Sequence, residues 1–491
     1  MRSRLPFARS IVASLLFAGL SIVLTACAKS GAVLPTATYS PQAKTASGLV
    51  AEGDERLAAS DFSGAERAYQ KAIDTDPKFA PAYSHLAFAH LFNPETRRGA
   101  IAEAQKATAL DPNSAEAYAY LARAYDWNAK FDEARKAGEK AVSLDPGSAN
   151  AQSFLGEIYT DLRMYDEAKK TAEKAVQLDP KNAEAHRNLG YLYNDMTRYE
   201  DALAEWQAAY DLQPKFVHRL TSIAVYYLYL RPDSEKARQW LNDALALAPD
   251  DSIALIFLAR LDSREGKADA AMAGCKHLLE VAPNSPDGHN CEATVFADQG
   301  DYAAAEAARQ AAIAADPNDE GSYIGLGYVY LAKDECGKAI DQFQKAVDLF
   351  PRSGRDWAAL GRGQSCNGDA DAAIKSTKKA VELEPYNGDN HIGLGRLYLA
   401  QGKFRDAESE MKKAAEIDPK NDQYLIWLGR VYAAQGDAGR AIEQYQKAVA
   451  LNPNDGDNST VLAFAQLQNR DFAKATDNFK QALDLYKRGA S

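Results

Sequence analysis

The chain has 491 residues and a formal net charge of -11, because 68 acidic residues outnumber 57 basic ones. This acidic balance argues against a nucleic-acid-binding protein, which needs a basic face toward the phosphate backbone. Hydrophobic residues make up 46% of the chain. The length would suggest about three compact domains, unless the chain is repetitive, in which case length counts repeats.

Residues 1–26 predict a secretory leader. Three arginines accompany an apolar run over residues 11–23, which is short for a membrane span and typical of the apolar core of a signal peptide. The run ends in Leu24-Thr25-Ala26-Cys27, which resembles the lipobox of bacterial lipoproteins. The resemblance implies that the leader is removed before Cys27 and that this cysteine is lipidated. The alternative is an ordinary signal peptide that happens to end in a cysteine.

We expect residues 27–45 to form a flexible tether that starts at the lipidated cysteine. The stretch is rich in alanine, serine and threonine, contains Pro35 and Pro41, and has no sustained periodicity. In enteric bacterial lipoproteins an aspartate after the cysteine retains the protein in the inner membrane, and Ala28 stands here instead. The resemblance therefore implies a lipid-anchored protein of the cell envelope, on the periplasmic face of the outer membrane. In an organism without an outer membrane, it implies an extracytoplasmic location.

Prolines recur along the rest of the chain at intervals of 34 or 35 residues. An interval this regular predicts a stack of repeated structural units, and it excludes a simple heptad coiled coil. The recurring prolines are Pro77, Pro112, Pro146, Pro180, Pro214, Pro249, Pro283, Pro317, Pro351, Pro385, Pro419 and Pro453.

Each unit predicts a hairpin of two helices. In the unit at 320–351, the first apolar stripe has the spacing i, i+3, i+4, i+7, which is typical of one helix face. The stripe consists of Tyr323, Leu326, Gly327 and Tyr330. A polar interruption at 333–337 is followed by a second stripe that contains Ala339, Phe343 and Ala346. Pro351 ends that helix, since proline cannot continue the hydrogen-bond ladder.

This pattern resembles the tetratricopeptide repeat, and the resemblance extends over residues 46–487. It implies an all-α, right-handed superhelical solenoid of about thirteen helix-turn-helix repeats. The small residues of each unit, such as Ala339 and Gly327, would lie where the two helices cross. Two units are one residue longer, around Phe92-Asn-Pro94 and Leu230-Arg-Pro232, and we expect each extra residue near the turn between the helices.

No catalytic motif is recognisable in the sequence. The chain lacks HExxH, GxSxG, a phosphate loop and CxxC, so we predict no catalytic residues and no cofactor. Cys275-Lys-His277 and His289-Asn-Cys291 are similar to a four-ligand zinc pattern. Residues two apart on a helix point about 200° apart, however, so neither pair converges on one ion and we predict no metal.

Four cysteines follow Cys27, an even number in a compartment expected to be oxidising. Cys275 and Cys291 lie on facing helices of neighbouring units, and Cys336 and Cys366 lie near the turns of neighbouring units. Both pairs are candidate disulfides between adjacent repeats. The alternative is buried free thiols.

In the resembled family, the first helices line a concave groove that binds extended peptides or partner helices. The ninth position of a unit faces that groove, and it holds Arg260, Arg362, Arg396 and Arg430. Their neighbours at other groove positions are Ile324, Tyr328, Ile392, Leu399 and Ile426. Arginine forks suit carboxylates, phosphates and peptide carbonyls. We therefore expect the C-terminal half to bind an extended segment with acidic and aliphatic residues, the alternative being a solvated charged surface.

Together, these features predict a non-enzymatic scaffold that binds protein partners and organises an envelope assembly of the pilus, secretion or polysaccharide-export type. One alternative is a structural or self-associating array that uses its last unit, where Val461, Leu462, Phe464 and Leu467 have no following repeat. The polar face of the final helix could instead make that unit its own cap. Another alternative is an accessory subunit of a glycosyltransferase or export system.

Overall fold

A computed structural model describes residues 44–93 and 96–489. The predicted leader (1–26), Cys27 and the tether as far as residue 43 lie outside these residues. Lys44 and the residues that follow it belong to one compact unit. Its secondary structure is helical in every described element, as predicted. No helix in this part of the chain is long and apolar enough to cross a membrane.

The helices pair into thirteen hairpins, and each hairpin corresponds to one predicted unit. The first helices are α1 (Ala46–Ala58), α3 (Ala80–His90), α5 (Ala115–Asp126), α7 (Ala149–Asp161), α9 (Ala183–Asp195), α11 (Val217–Val225), α13 (Ser252–Arg264), α15 (Asp287–Asp298), α17 (Glu320–Ala332), α19 (Gly354–Cys366), α21 (Gly388–Ala400), α23 (Asp422–Ala434) and α25 (Gly456–Gln468). The second helices are α2 (Phe62–Thr75), α4 (Ala100–Leu110), α6 (Phe131–Leu144), α8 (Tyr165–Leu178), α10 (Tyr199–Leu212), α12 (Ser234–Leu247), α14 (Ala268–Val281), α16 (Tyr302–Ala315), α18 (Cys336–Leu349), α20 (Ala370–Leu383), α22 (Phe404–Ile417), α24 (Ala438–Leu451) and α26 (Phe472–Gly489).

In every unit except the last, the recurring proline ends the second helix by its effect on the residue before it. Asp179, which precedes Pro180, is extended with φ -141° and ψ 93°, because a residue before proline avoids the helical region. The Asp179 carboxylate then accepts a hydrogen bond from the Lys181 amide at 3.0 Å. The next helix starts at an N-cap, where Asn182 accepts from the Ala185 amide at 3.0 Å. This short link repeats along the array and sets the angle between units.

Small residues lie at the helix crossing, as predicted. Ala339, Phe343 and Ala346 of α18 are fully buried. A Cβ atom at Gly327 on α17 would overlap the ring of Phe343, and one at Gly429 would overlap the ring of Tyr445. Glycine in the first helix thus leaves room for a large ring from the second.

A hydrogen bond explains why one position of the first helix favours aromatic residues with a polar atom. Tyr323 donates its hydroxyl to the Pro317 carbonyl at 3.2 Å, and the Trp357 indole donates to the Pro351 carbonyl at 2.9 Å. Each bond ties a first helix to the link that precedes it. The aromatic side chain at this position therefore contributes to packing and also donates a hydrogen bond to the carbonyl of the proline itself.

The extra residue of the sixth unit lies near the turn between the helices, as expected. It is accommodated in the first helix, where α11 continues as a π-helical turn over Tyr226–Leu230. A π-helical turn accommodates one additional residue without breaking the helix. The amide of Arg231 closes this turn on the Tyr226 carbonyl at 2.9 Å, and it places Arg231 at the end of the helix. In the other long unit, Pro94 lies outside the described residues.

The last unit leaves apolar surface uncovered. Phe464 and Leu467 on α25 are 54% and 42% exposed, and Phe472 on α26 is 62% exposed. Leu462, which we expected beside them, is buried because it belongs to the same hydrophobic core as Tyr445.

Successive turns of the superhelix touch along a line of contacts that we call the seam. It joins the loops inside the early hairpins to the links that follow second helices later in the chain. At its beginning, the Ser60 hydroxyl donates to the Lys215 carbonyl at 3.0 Å and accepts from the Val217 amide at 2.7 Å. Further along, Arg231 pairs with Asp418, 187 positions away, and the other joined residues are 218 to 221 positions apart. These later contacts are Arg98–Asp316, Phe131–Phe350, Arg163–Glu384, Tyr165–Tyr386, Thr197–Ile417 and Glu200–Lys420.

The loops inside hairpins that contact the seam differ at one backbone position from the loops inside hairpins that lie outside it. That residue has a positive φ, and the loops outside the seam have Gly402 and Gly436 there. The seam loops have Ser60, Arg163 and Thr197, with φ between 56° and 60°. A non-glycine residue in this region costs roughly 1–2 kcal/mol, and the seam contacts of these side chains offset that cost. Outside the seam, loop residues Asp334 and Arg470 also have positive φ, so the association is not strict.

Candidate partner-binding groove

Three of the predicted arginines lie in a row on consecutive first helices. Arg362 is on α19, Arg396 on α21 and Arg430 on α23, and all three side chains are exposed. No carboxylate of residues 44–93 or 96–489 forms an ion pair with any of them. Because the chain is acidic overall and pairs many of its other basic residues, three unpaired guanidinium groups in a row indicate a surface that is open to an external acceptor.

Aromatic rings hold these guanidinium groups in place. The Trp427 ring lies between Arg396 and Arg430, whose guanidinium carbons are 4.6 Å and 4.3 Å from its centroid. Arg362 donates to the Tyr328 hydroxyl at 3.0 Å and lies 6.0 Å from that ring centroid. Stacking through the flat face of a guanidinium group leaves N–H groups at its edge available to an anion.

A cavity of about 720 Å³ lies beside the arginine row. It is lined by Arg362, Arg396 and Trp427, and by polar side chains that include Thr377 and Asn390. Asp389 also lines it, but its carboxylate accepts a hydrogen bond from the Tyr424 hydroxyl at 3.0 Å. The cavity therefore combines cationic, aromatic and neutral polar groups.

The remaining predicted groove residues are placed differently. Arg260 on α13 is exposed and donates to the Tyr229 hydroxyl at 3.3 Å, apart from the other three arginines. Leu399 is half-buried. Ile392 lines the cavity with only 7% of its surface exposed. Ile426 is 3% exposed in the hydrophobic core, so our expectation that it faces a ligand was wrong, because the fifth position here packs against neighbouring helices.

Sequence reasoning missed two features of the concave surface. One is Trp427, which lies three residues before Arg430 and therefore on the same helix face, a spacing that the sequence does show. The other is the N-terminal half of the groove, where the ninth positions of units three and four hold Arg123 and Glu157. Both of these side chains are buried.

The buried groove residues of the N-terminal half form an ion network. Arg123 pairs with Glu157 at 2.6 Å and with Glu184 at 3.2 Å. Arg187 pairs with Glu157 at 3.1 Å, and Arg219 pairs with Glu184. Burial raises the pKa of Glu184, but Arg219, Arg123 and Arg187 lower it by more, so this carboxyl is ionised throughout the physiological range.

Three carboxyls at the ends of successive first helices have raised pKa values. Burial, followed by repulsion from Glu157 and Asp195, raises the pKa of Asp161 to about 7. Burial also raises the pKa of Asp195 to about 6, against the opposing effect of Arg163. Burial and the neighbouring Asp161 raise the pKa of Asp126 well above its ordinary value.

The four cysteines beyond Cys27 lie in two bonded pairs. Cys275 on α14 is joined to Cys291 on α15 with a Cα–Cα distance of 5.3 Å, and Cys336 is joined to Cys366 with a Cα–Cα distance of 5.6 Å. The histidines of the zinc-like pattern have carboxylate neighbours, His277 with Asp250 and His289 with Glu292.

Asp334 lies close enough to Cys336 and Cys366 that the three could form a set of metal ligands. The two sulfur atoms are bonded to each other, which leaves one carboxylate as a free ligand. We therefore assign no metal to this group.

The hairpin stack and its concave face define a helical-repeat protein of the solenoid class. Three family models match within it: one described as tetratricopeptide repeat over residues 292–354 and 392–456, one described as TPR repeat over 156–196, and a second tetratricopeptide repeat model over 96–158. The chain therefore contains tetratricopeptide repeats, as its sequence pattern predicted.

Two solved structures are similar to the chain over most of its length. One is a chain of the crystal structure of the APC/C hetero-tetramer Cut9–Hcn1, with 16% identity, 90% of this chain and 94% of that chain covered, and a TM-score of 0.43. The other is yeast Tom70, with 18% identity, 87% and 96% covered, and a TM-score of 0.47. No curated protein sequence matches this chain.

Proposed function

We propose that this protein is a non-enzymatic scaffold that captures partner proteins in the C-terminal half of its concave groove. The observation that carries the proposal is the row of unpaired arginines, Arg362, Arg396 and Arg430, fixed by Tyr328 and Trp427 beside an open cavity. Tetratricopeptide repeats are typical of protein–protein interaction scaffolds, and this agrees with a groove that offers hydrogen-bond donors without catalytic groups.

The chemistry of the groove favours an extended partner segment that carries acidic residues. Guanidinium edges bind carboxylates with two parallel hydrogen bonds, and arginines on successive helices would meet carboxylates along one strand of chain. Leu399 and the edge of Ile392 offer small apolar contacts beside the arginines. A segment that alternates acidic and aliphatic residues fits this arrangement better than a basic or uniformly apolar one.

We further propose that the array is anchored by lipid on Cys27 and works in the cell envelope, at the periplasmic face of the outer membrane. The lipobox-like residues before Cys27 and the tether over 27–45 support this location. A scaffold held near a membrane by a tether could gather the parts of an envelope assembly of the pilus, secretion or polysaccharide-export type. An accessory role beside a glycosyltransferase is compatible with the same anchoring.

A crosslinked pull-down from intact envelopes tests the proposal. We expect Arg362→Ala, Arg396→Ala and Arg430→Ala together to lose the captured partners without a change in helicity by circular dichroism. The matched control is Arg67→Ala, Arg405→Ala and Arg440→Ala, which removes three exposed arginines from second helices. Capture that persists in the groove variant would contradict the proposal.

Self-association is a second candidate, favoured by the exposed apolar surface of the last unit. Phe464 and Phe472 are 54% and 62% exposed, and a further repeat would cover such residues. The same pull-down separates the two functions. If the chain self-associates, a tagged and an untagged copy will be recovered together from both the groove variant and its control.

A further inference from the structure

The first turn of the superhelix encloses a second, smaller cavity of about 170 Å³. We call it the lumen cavity. Trp127, Phe216 and Phe257 form its apolar side, and Arg123, Arg187 and His218 form its polar side. These residues come from units three, five, six and seven, so the cavity exists only because the concave face closes on itself. It shares no residue with the cavity beside the arginine row.

The charges around the lumen cavity do not balance. Three guanidinium groups, those of Arg123, Arg187 and Arg219, pair with only two carboxylates, Glu157 and Glu184. Asp126 and Asp161 also lie close to Glu157, but burial raises the pKa of both, to about 7 for Asp161, so their negative charge near neutral pH is reduced. The set in direct contact therefore has a net charge of one positive unit in a buried place, which is unfavourable without a further anion.

The hydrogen-bond donors show the same excess. Arg123, which lines the cavity, is 1% exposed, yet its Nε has no acceptor among the described residues. Nε2 of His218 also lacks a partner in this part of the chain, and the nearest carboxylate oxygen, on Asp251, is 4.0 Å away. A buried donor without an acceptor is unfavourable, because it loses its hydrogen bonds to water without replacement. An oxygen anion on the polar side of the cavity would supply acceptors and charge together.

We propose that the lumen cavity binds the carboxylate of a small organic acid, with the apolar body of the acid packed against Trp127, Phe216 and Phe257. One excess positive charge matches a monoanion better than a dianion, and guanidinium groups match the planar carboxylate. The volume admits one small side-chain-sized body and excludes a helix or an extended peptide. This site does not depend on the partner-binding groove.

Isothermal titration of the full-length protein with phenylacetate tests the assignment, and phenylacetamide is the matched neutral ligand. We expect saturable binding of phenylacetate and at least tenfold weaker binding of the amide. Equal binding of the two would show apolar filling without anion recognition and would overturn the proposal. Absence of any binding to the folded protein would also overturn it.

Variants that fill the cavity locate the binding. Ser222 and Val225 line the cavity without taking part in the ion network, so Ser222→Leu and Val225→Phe should each abolish phenylacetate binding. Ser143→Leu is the control, because Ser143 is an exposed serine on α6 whose hydroxyl also bonds to its own helix. The triple arginine variant of the groove should bind phenylacetate as the wild type does. Binding that survives both filling substitutions, or that disappears with the groove arginines, would refute the assignment.

Discussion

Asp161 shows how burial changes the chemistry of a single residue. Asp126, Asp161 and Asp195 occupy corresponding places at the ends of α5, α7 and α9. They are ordinary acidic residues in the sequence, and nothing local distinguishes them from exposed aspartates such as Asp166. Burial and mutual repulsion raise the pKa of Asp161 to about 7. The carboxyls of Asp161 and Asp195 therefore have pKa values close to neutral pH.

The raised pKa predicts that Asp161 destabilises the fold at alkaline pH. Between its ordinary value of 3.8 and about 7, the folded protein holds a proton that the unfolded chain releases, so stability falls as pH rises through this window. Asp161→Asn should therefore raise the free energy of unfolding at pH 8 by roughly 1–3 kcal/mol, given about 1.4 kcal/mol per pKa unit. The asparagine oxygen can still accept the hydrogen bond from Tyr191.

Thermal unfolding at pH 4 and pH 8 measures this effect. The Asp161→Asn variant should melt above the wild type at pH 8, and the difference should shrink toward pH 4. Asp166→Asn, on the exposed side of α8, should leave the melting temperature unchanged at both pH values. A wild type whose stability rises from pH 4 to pH 8 relative to Asp161→Asn would show that the pKa shift has the opposite sign.

At this scale the sequence predicted which residues lie on the concave face but not which of them are accessible. The ninth-position rule found Arg362, Arg396 and Arg430, all exposed, and the same rule applied to Arg123 gives a buried residue. Arg123 is buried because the superhelix brings unit six into contact with unit one, as the contact between Phe62 and Phe216 shows. Local periodicity contains no information about a contact between residues so far apart.

The helices themselves could be predicted from local sequence patterns. The prolines placed the ends of the second helices, and the alanine and glycine positions placed the helix crossing within each hairpin. The π-helical turn over Tyr226–Leu230 did not follow. An inserted residue can lengthen either a loop or a helix. Here it lengthens the helix, and the π-helical turn brings Arg231 to within 3.2 Å of Asp418 across the seam.

The bond between Cys275 and Cys291 should stabilise the junction of α14 and α15. It closes a sequence separation of 16 residues, and a loop of this size is worth about 3 kcal/mol in chain entropy. We expect Cys275→Ala with Cys291→Ala to lower the free energy of unfolding by about 2–3 kcal/mol in denaturant titrations.

Reduction provides the control for this prediction. In a background without Cys336 and Cys366, a reducing agent should destabilise the protein that retains Cys275 and Cys291 and should leave the double alanine variant unchanged. Four free thiols in the unreduced, denatured wild type would show that neither pair is bonded in solution.

The seam joins successive turns of the described repeats, and no repeat pattern predicted it. Arg163 pairs with Asp195 of its own turn and Glu384 of the next, and Arg231 pairs with Glu200 and Asp418 in the same way. Each arginine lies between carboxylates that would otherwise repel one another.

Arg163→Ala with Arg231→Ala should therefore open the superhelix. We expect a larger radius of gyration by small-angle X-ray scattering, with helicity retained because the hairpins are unchanged. About 1 M salt should move the wild type in the same direction, since the Debye length falls to roughly 3 Å. Arg67→Ala with Arg405→Ala removes the same charge from exposed positions on second helices and should leave the radius unchanged. Equal radii for the seam variant and this control would show that the ion pairs do not hold the turns together.

The seam also restricts how such a chain can change its length during evolution. Repeat arrays normally gain and lose whole units freely, because each unit contacts only its neighbours. Here the loss of one 34-residue unit between Arg231 and Asp418 would bring Arg231 opposite Asn452, and Glu200 opposite Asn454 in place of Lys420. Two ionic contacts would disappear from a single deletion that leaves every hairpin intact. The number of units between Arg231 and Asp418 is therefore constrained by the contacts between stacked turns.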